Sequence, residues 1–155
     1  MKKANLSGIS SLEAHLGFWL RFVSNQVSSR FEKQLEAHGI SVTEWVAMRT
    51  LYQRSGVTHT ELIDALGITK GAASKVISRL ESKTLAERRL AEDSAREQAL
   101  CLTDKGNRLV PKLAVLADEN DAFFFSHLSD VQRSELMSLM RELVRHHRLK
   151  QVPTK

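Results

Sequence analysis

THTELIDALGITKGAASKVISRLESK, residues 58–83, reads as helix, tight turn, helix. Thr58-x-x-Glu61 is a capping box, in which each side chain satisfies a backbone N–H at a helix start. Leu62, Ile63 and Leu66 place apolar groups on one face, and Gly67 ends the run. Ile68 supplies an anchor, and Thr69 caps a second helix whose apolar positions Ala73, Val76, Ile77 and Leu80 recur at helical spacing. The outward face of that helix is then Lys70, Gly71, Ser74, Lys75, Ser78 and Arg79, with no carboxylate among them.

These side chains suit a helix that enters the major groove. Lys and Arg pair with phosphates or guanine edges, hydroxyls contact either, and small residues allow close backbone approach. A solvated amphipathic helix would also carry a charged outer face, and the helix-turn-helix spacing is what favours DNA.

Working outward, 155 residues bound the chain to a single domain with a real core. The net charge of +5 favours polyanionic partners without choosing among DNA, RNA and an anionic membrane. No apolar run approaches the roughly 18 residues of a membrane span, and the N-terminal segment lacks an uninterrupted apolar region, so a soluble, unexported, cytoplasmic protein is expected. The single Cys101 excludes an intrachain disulfide framework. His146 and His147 are adjacent rather than on one helical face, and no Cys-x-x-Cys or His-x-x-x-His pair occurs, so no metal is expected. Phosphate-loop and nucleophile-elbow motifs are absent too, and neither a cofactor nor enzymatic chemistry is expected.

Residues 1–9 are short, polar and basic and read as a loose arm. Ser10-x-x-Glu13 offers a capping box for a long helix to about His38, where Gly39 supplies a left-handed end. At 1.5 Å per residue that helix spans about 40 Å. Its core-facing stripe is Leu12, Leu16, Trp19, Leu20, Val23, Val27, Phe31 and Leu35, while Phe18 and Phe22 lie off it and suggest a second surface buried against another subunit. Ser41-x-x-Glu44 opens the next helix, and Val57 is placed in a short strand. After Lys83 the period falls to two: Leu85 to Leu90 and Gln98 to Leu102 read as strands joined by a polar connector over 91–97. A hairpin there is a wing, with Arg88, Arg89 and Arg96 available for DNA, although Glu87, Glu92, Asp93 and Glu97 equally describe a surface hairpin of mixed charge. Thr103 caps a helix through Phe125 that Pro111 is expected to kink. Ser129-x-x-Gln132 opens the last helix, with Val131, Leu136, Leu139, Met140, Leu143 and Val144 expected inward, ahead of a basic tail to Lys155.

From about Leu12 to His147 this chain resembles the multiple-antibiotic-resistance regulator (MarR) family. The resemblance is carried by Glu61-Leu62, the run Ala65 to Lys75, Arg79-Leu80-Glu81, Leu102-Thr103 and Gly106. It implies a mainly α fold with a small β-hairpin wing, a winged helix-turn-helix lobe over 41–103 and dimerisation helices over 10–39 and 104–149. It also implies a homodimeric, ligand-responsive repressor that binds double-stranded DNA at a pseudo-palindromic operator; the alternative is a winged-helix module that binds protein or RNA. The candidate DNA-binding residues are Thr58, Thr60, Thr69, Lys70, Gly71, Ser74, Lys75, Ser78, Arg79, Arg88, Arg89 and Arg96. Two departures stand out. The family's wing Asp-x-Arg is here Ser94-Ala95-Arg96, and Thr84 occupies the place of a usual Gly before the first wing strand. The resemblance further implies release by a small aromatic acid or phenol, for which Trp19, Phe22 and Trp45 are the candidate lining, although such aromatics also serve as core or interface. Release by oxidation of a first-helix cysteine is closed, because residues 11–38 contain none. Cys101 reads as buried and inert.

Overall fold

The computed structural model describes residues 8–91 and 94–150. A single 3-10 turn, Leu12–Ala14, precedes α1 (Leu16–Glu36) and α2 (Val42–Leu51). Then come β1 (Val57–Thr58), α3 (His59–Leu66) and α4 (Lys70–Ser82). The wing is β2 (Ala86–Ala91) and β3 (Ser94–Leu102), and α5 (Asp104–Phe125) and α6 (Asp130–His146) complete the chain. The three strands form one antiparallel sheet in the order β1-β3-β2, with Val57 opposite Leu100 and Arg88 opposite Leu100 on the other side.

Local chemistry sets most boundaries. Ser41 with Glu44, Thr58 with Glu61 and Ser129 with Gln132 form reciprocal capping boxes, all with donor–acceptor distances of 2.8–3.2 Å. Each such cap contributes about 1 kcal/mol. Thr69 and Thr103 cap one way, onto the N–H groups of Ala72 and Gly106. At the end of α1, Gly39 lies at φ 70°, its N–H reaching the Glu36 carbonyl while that of Ile40 reaches Leu35. This is a Schellman motif, and its customary hydrophobic contact is supplied by Leu35 and Ile40, both buried.

Three expectations are corrected. Ser10 caps no helix: the chain makes the Leu12–Ala14 turn, His15 is extended, and α1 starts at Leu16. The indole N–H of Trp19 donates to the Glu13 carbonyl at 2.9 Å, giving that turn a partner that a continuous helix would lack. Second, the wing strands reach into the segment read as connector, with Ala91 opposite Ser94 and a bulge at Leu90/Ala91. The sequence over 91–97 is polar and shows no apolar alternation, so it reads as loop. Third, the apolar stripes of α1 and α6 are not buried within the chain. In α1 only Leu35 is buried, while Leu16, Trp19, Leu20 and Val23 are exposed, as is Leu12 in the preceding turn. In α6 nothing is buried, and the six residues expected inward are 39–66% exposed.

The core sits instead where the C-terminal end of α1 and the N-terminal half of α5 meet α2, α3, α4 and the sheet, around Leu35, Met48, Leu62, Leu80, Leu102 and Leu113. α5 runs unbroken through Pro111. Cys101 is buried, as are its neighbours Leu100 and Leu102, and its thiol donates to the Ser55 carbonyl at 3.1 Å. No described helix is long and apolar enough to cross a membrane.

Candidate nucleic-acid interface

The packing of α4 decides what it presents. Ala73, Val76, Ile77 and Leu80 are buried, which turns Lys70, Gly71, Lys75, Ser78 and Arg79 fully outward and leaves Ser74 half-buried. Thr69 and Thr60 are exposed, and Thr58 is half-buried in its capping box. Among the described residues none of Lys70, Lys75 and Arg79 is in an ion pair, so three cations stand unneutralised on one face. At the start of α4 no carboxylate competes for the first-turn N–H groups, because Ala72 occupies the position where a capping box would place Glu.

Two contacts fix the orientation of this helix, and neither is visible in local sequence pattern. At its C-terminal end Lys83 Nζ donates to both Glu44 carboxylate oxygens, at 2.7 and 3.0 Å, and to the Gly39 carbonyl at 2.6 Å. Glu44 is 2% exposed and also accepts from the Ser41 N–H, so one buried carboxylate both caps α2 and holds α4. The α4–β2 turn then places Thr84 at φ 59°, with its N–H on Glu81 and that of Leu85 on Leu80. The turn keeps the Schellman form without glycine.

On the wing, Arg88 Nε donates to Glu81 Oε1 on α4 at 2.6 Å. Arg89 is bound through Nε and Nη2 to Glu87 on its own strand, and that carboxylate raises the guanidinium pKa further above its ordinary value. Both arginines therefore have carboxylate partners, and only Arg88 is tied to α4. The side chain of Arg96 lies outside the described residues, as do the arm over 1–7 and the tail over 151–155.

A cleft of about 330 Å³ opens between α1, α2 and α5. Its lining is mainly apolar, from Val27, Phe31, Val42, Trp45 and Val46, with Ser28, Asn120, Glu32 and Asp121 contributing polar groups. The Phe31 and Trp45 rings meet edge to face at 6.3 Å. Asn120, buried, accepts from Arg30 and donates to the Val27 carbonyl, both at 3.1 Å, and so pins the α1–α5 crossing beside the cleft. Of the three aromatics expected there, the structure brings only Trp45. Trp19 and Phe22 cluster with Phe18 near the start of α1, with ring centroids 5.3–6.5 Å apart. They lie N-terminal of Val27 and Phe31 along α1, which enters the lobe only at its C-terminal end.

Residues 38–97 match the model of the MarR family. This lobe is similar to a MarR-family winged helix-turn-helix. Beyond the lobe, the chain is 25% identical over 131 residues to the HTH-type transcriptional repressor Mb2911 of Mycobacterium bovis, a match covering 84% of this chain and 94% of that protein. Among solved structures it is similar to Bordetella bronchiseptica BpsR, whose DNA binding is regulated by 6-hydroxynicotinic acid (TM-score 0.76, 19% identity, 88% of this chain and 97% of that one). It is also similar to S. aureus MepR in complex with DNA (TM-score 0.75, 22% identity, 85% and 98%). The MarR-type fold thus extends over α1, α5 and α6 as well as the lobe.

Proposed function

We propose that this protein is a double-stranded-DNA-binding transcriptional repressor that works as a homodimer and releases its operator when a small aromatic ligand fills the α1–α2–α5 cleft. The observation that carries the reading is the outer face of α4: three unpaired cations and small or hydroxylic residues, backed by a fully buried inner face within a lobe similar to that of the MarR family. Lys70, Lys75 and Arg79 supply phosphate or base contacts, with Thr69, Gly71, Ser74 and Ser78 allowing close approach. Thr58 and Thr60 lie at the start of α3 for backbone contacts, and Arg88, Arg89 and Arg96 extend the surface along the wing.

The repressor assignment follows the relative Mb2911, and the DNA and ligand assignments are in keeping with MepR and BpsR. The cleft falls in the size range of small-molecule sites, roughly 300–1,000 Å³. Glu32 and Asp121 in its lining can each accept a hydrogen bond from a hydroxyl and oppose a carboxylate, so a phenol fits better than an aromatic acid. In this reading the exposed apolar faces of α1 and α6 receive the second copy, with residues 10–39 and 104–149 serving dimerisation and 41–103 serving DNA binding. A gel shift with the duplex upstream of the protein's own coding region tests the reading directly. Retardation that phenols reverse and benzoates do not is expected; no retardation of any duplex would overturn it.

A further inference from the structure

Glu81 is the one acidic residue in α4, and it occupies the last turn of the helix. There the helix dipole disfavours a carboxylate, and a negative charge beside a DNA-facing helix opposes a polyanion. Its placement makes physical sense through Arg88, whose Nε–H it accepts at 2.6 Å across the turn between α4 and β2. That single-point contact leaves the rest of the guanidinium available: among the described residues, Nη1 and Nη2 of Arg88 have no partner, and the side chain is 45% exposed. The adjacent Arg89 makes the contrast, because Glu87 takes both its Nε and Nη2 and holds it on its own strand. Arg88 alternates with Arg89 and shares a strand face with the buried Ala86, which sets it beside α4.

We infer that Glu81 is a positioning residue that holds the Arg88 guanidinium against the C-terminal end of α4, with its terminal amino groups set to take a DNA phosphate. The inference rests on the DNA-binding reading above. A long arginine side chain loses much rotamer freedom when it is immobilised on binding, and a contact made beforehand within the protein reduces that loss. A planar fork anchored at Nε also fixes the direction of its remaining donors, which a free lysine could not do.

The sign of the Glu81→Ala effect separates this role from plain electrostatics. Removing a carboxylate near DNA should tighten binding to every duplex if Glu81 only repels phosphates or competes with them for Arg88. If it positions Arg88, removal should weaken binding. The test is a fluorescence-anisotropy titration of the full-length protein, at several salt concentrations, against a duplex recovered by repeated selection from a random-sequence library. Arg88→Ala is expected to weaken binding about tenfold and to lower the slope of log K against log salt by about 0.9. Glu81→Ala should weaken it about three- to fivefold in the wild-type background and not at all in the Arg88→Ala background, while Glu81→Gln, which keeps the acceptor oxygen, should recover most of the loss. Unchanged or tighter binding by Glu81→Ala overturns the positioning role, and so does an equal loss with and without Arg88. Wild-type protein that binds no duplex would overturn the DNA-binding reading itself, and this inference with it.

Discussion

Thr84 holds a left-handed backbone, at φ 59°, that a β-branched residue adopts only at a cost of about 1–2 kcal/mol. The surroundings hold it there. Thr103 Oγ1 donates to the Thr84 carbonyl at 2.6 Å, and Lys105 Nζ donates to the Lys83 carbonyl at 3.0 Å and to Thr84 Oγ1 at 3.3 Å. Glycine would relieve the strain but forfeit the side-chain contact and loosen the unfolded chain, so Thr84→Gly should stabilise by only about 0.5–1 kcal/mol. Urea denaturation measures this, and a loss of stability would mean that the hydrogen bonds outweigh the strain. On α4, Lys70 lies in the first turn beside free N–H groups, whereas Lys75 lies more than a turn further along, with Gly71 and Ser74 clearing its approach. Lys70→Ala should therefore weaken operator and scrambled duplex alike and reduce the salt slope by about 0.9. Lys75→Ala should weaken the operator selectively, by roughly 1–3 kcal/mol. Titration of both duplexes at several salt concentrations separates the two, and unchanged affinity in both variants would sink the major-groove assignment.

Among the elements, α3 depends most visibly on its cap. Glu61 accepts the Thr58 N–H at 2.8 Å, and this backbone hydrogen bond, ahead of the Thr58 hydroxyl and the nearby Arg54 charge, holds its pKa below the ordinary 4.5. Because the folded pKa is depressed, the contribution to stability is present in full above pH 4.5 and is lost as pH falls through the lower folded value. Glu61→Gln should keep a capping acceptor but remove this dependence, flattening the acid limb of the urea midpoint below that pH. A limb as steep as that of the wild type would assign the acid sensitivity elsewhere. Such caps were legible because S/T-x-x-E/Q places both partners within three residues, and the buried face of α4 was legible because its period is short and its partner elements are consecutive. What stayed hidden is long-range or relational. Glu44 was readable as a cap but not as the partner of Lys83, 39 residues away. Glu81 and Arg88 were both visible, but their contact depends on how the Thr84 turn aims β2. Trp19 was misplaced because a stripe gives the face of a helix, not which part of its length meets the lobe.

For the molecule as a whole, the distribution of apolar surface argues for a second copy. The winged lobe shares its core with the C-terminal end of α1 and the N-terminal half of α5, yet α6 buries nothing and carries Leu136, Leu139, Met140, Leu143 and Val144 on its surface, while the rest of α1 leaves Leu16, Trp19, Leu20 and Phe22 exposed. Contiguous patches of this kind on separate elements are uncommon on monomers, and a two-fold pairing covers both at once. Since the lobe core does not depend on α6, charge placed there should break the pairing without unfolding the DNA-binding part. Leu139→Asp with Leu143→Asp is expected to halve the mass seen by light scattering at micromolar concentration while far-UV circular dichroism keeps its helical signal. Wild-type protein should protect DNA with two-fold symmetry over half-sites whose centres lie one helical turn, about 10 to 10.5 base pairs, apart. The paired variant should lose that symmetric footprint and retain only weak, strongly salt-dependent binding, because one lobe contributes half the phosphate contacts. A wild-type mass of one chain would leave the exposed stripes without a second copy to cover them, and symmetric protection by a monomeric variant would show that the DNA, not α6, brings the two copies together.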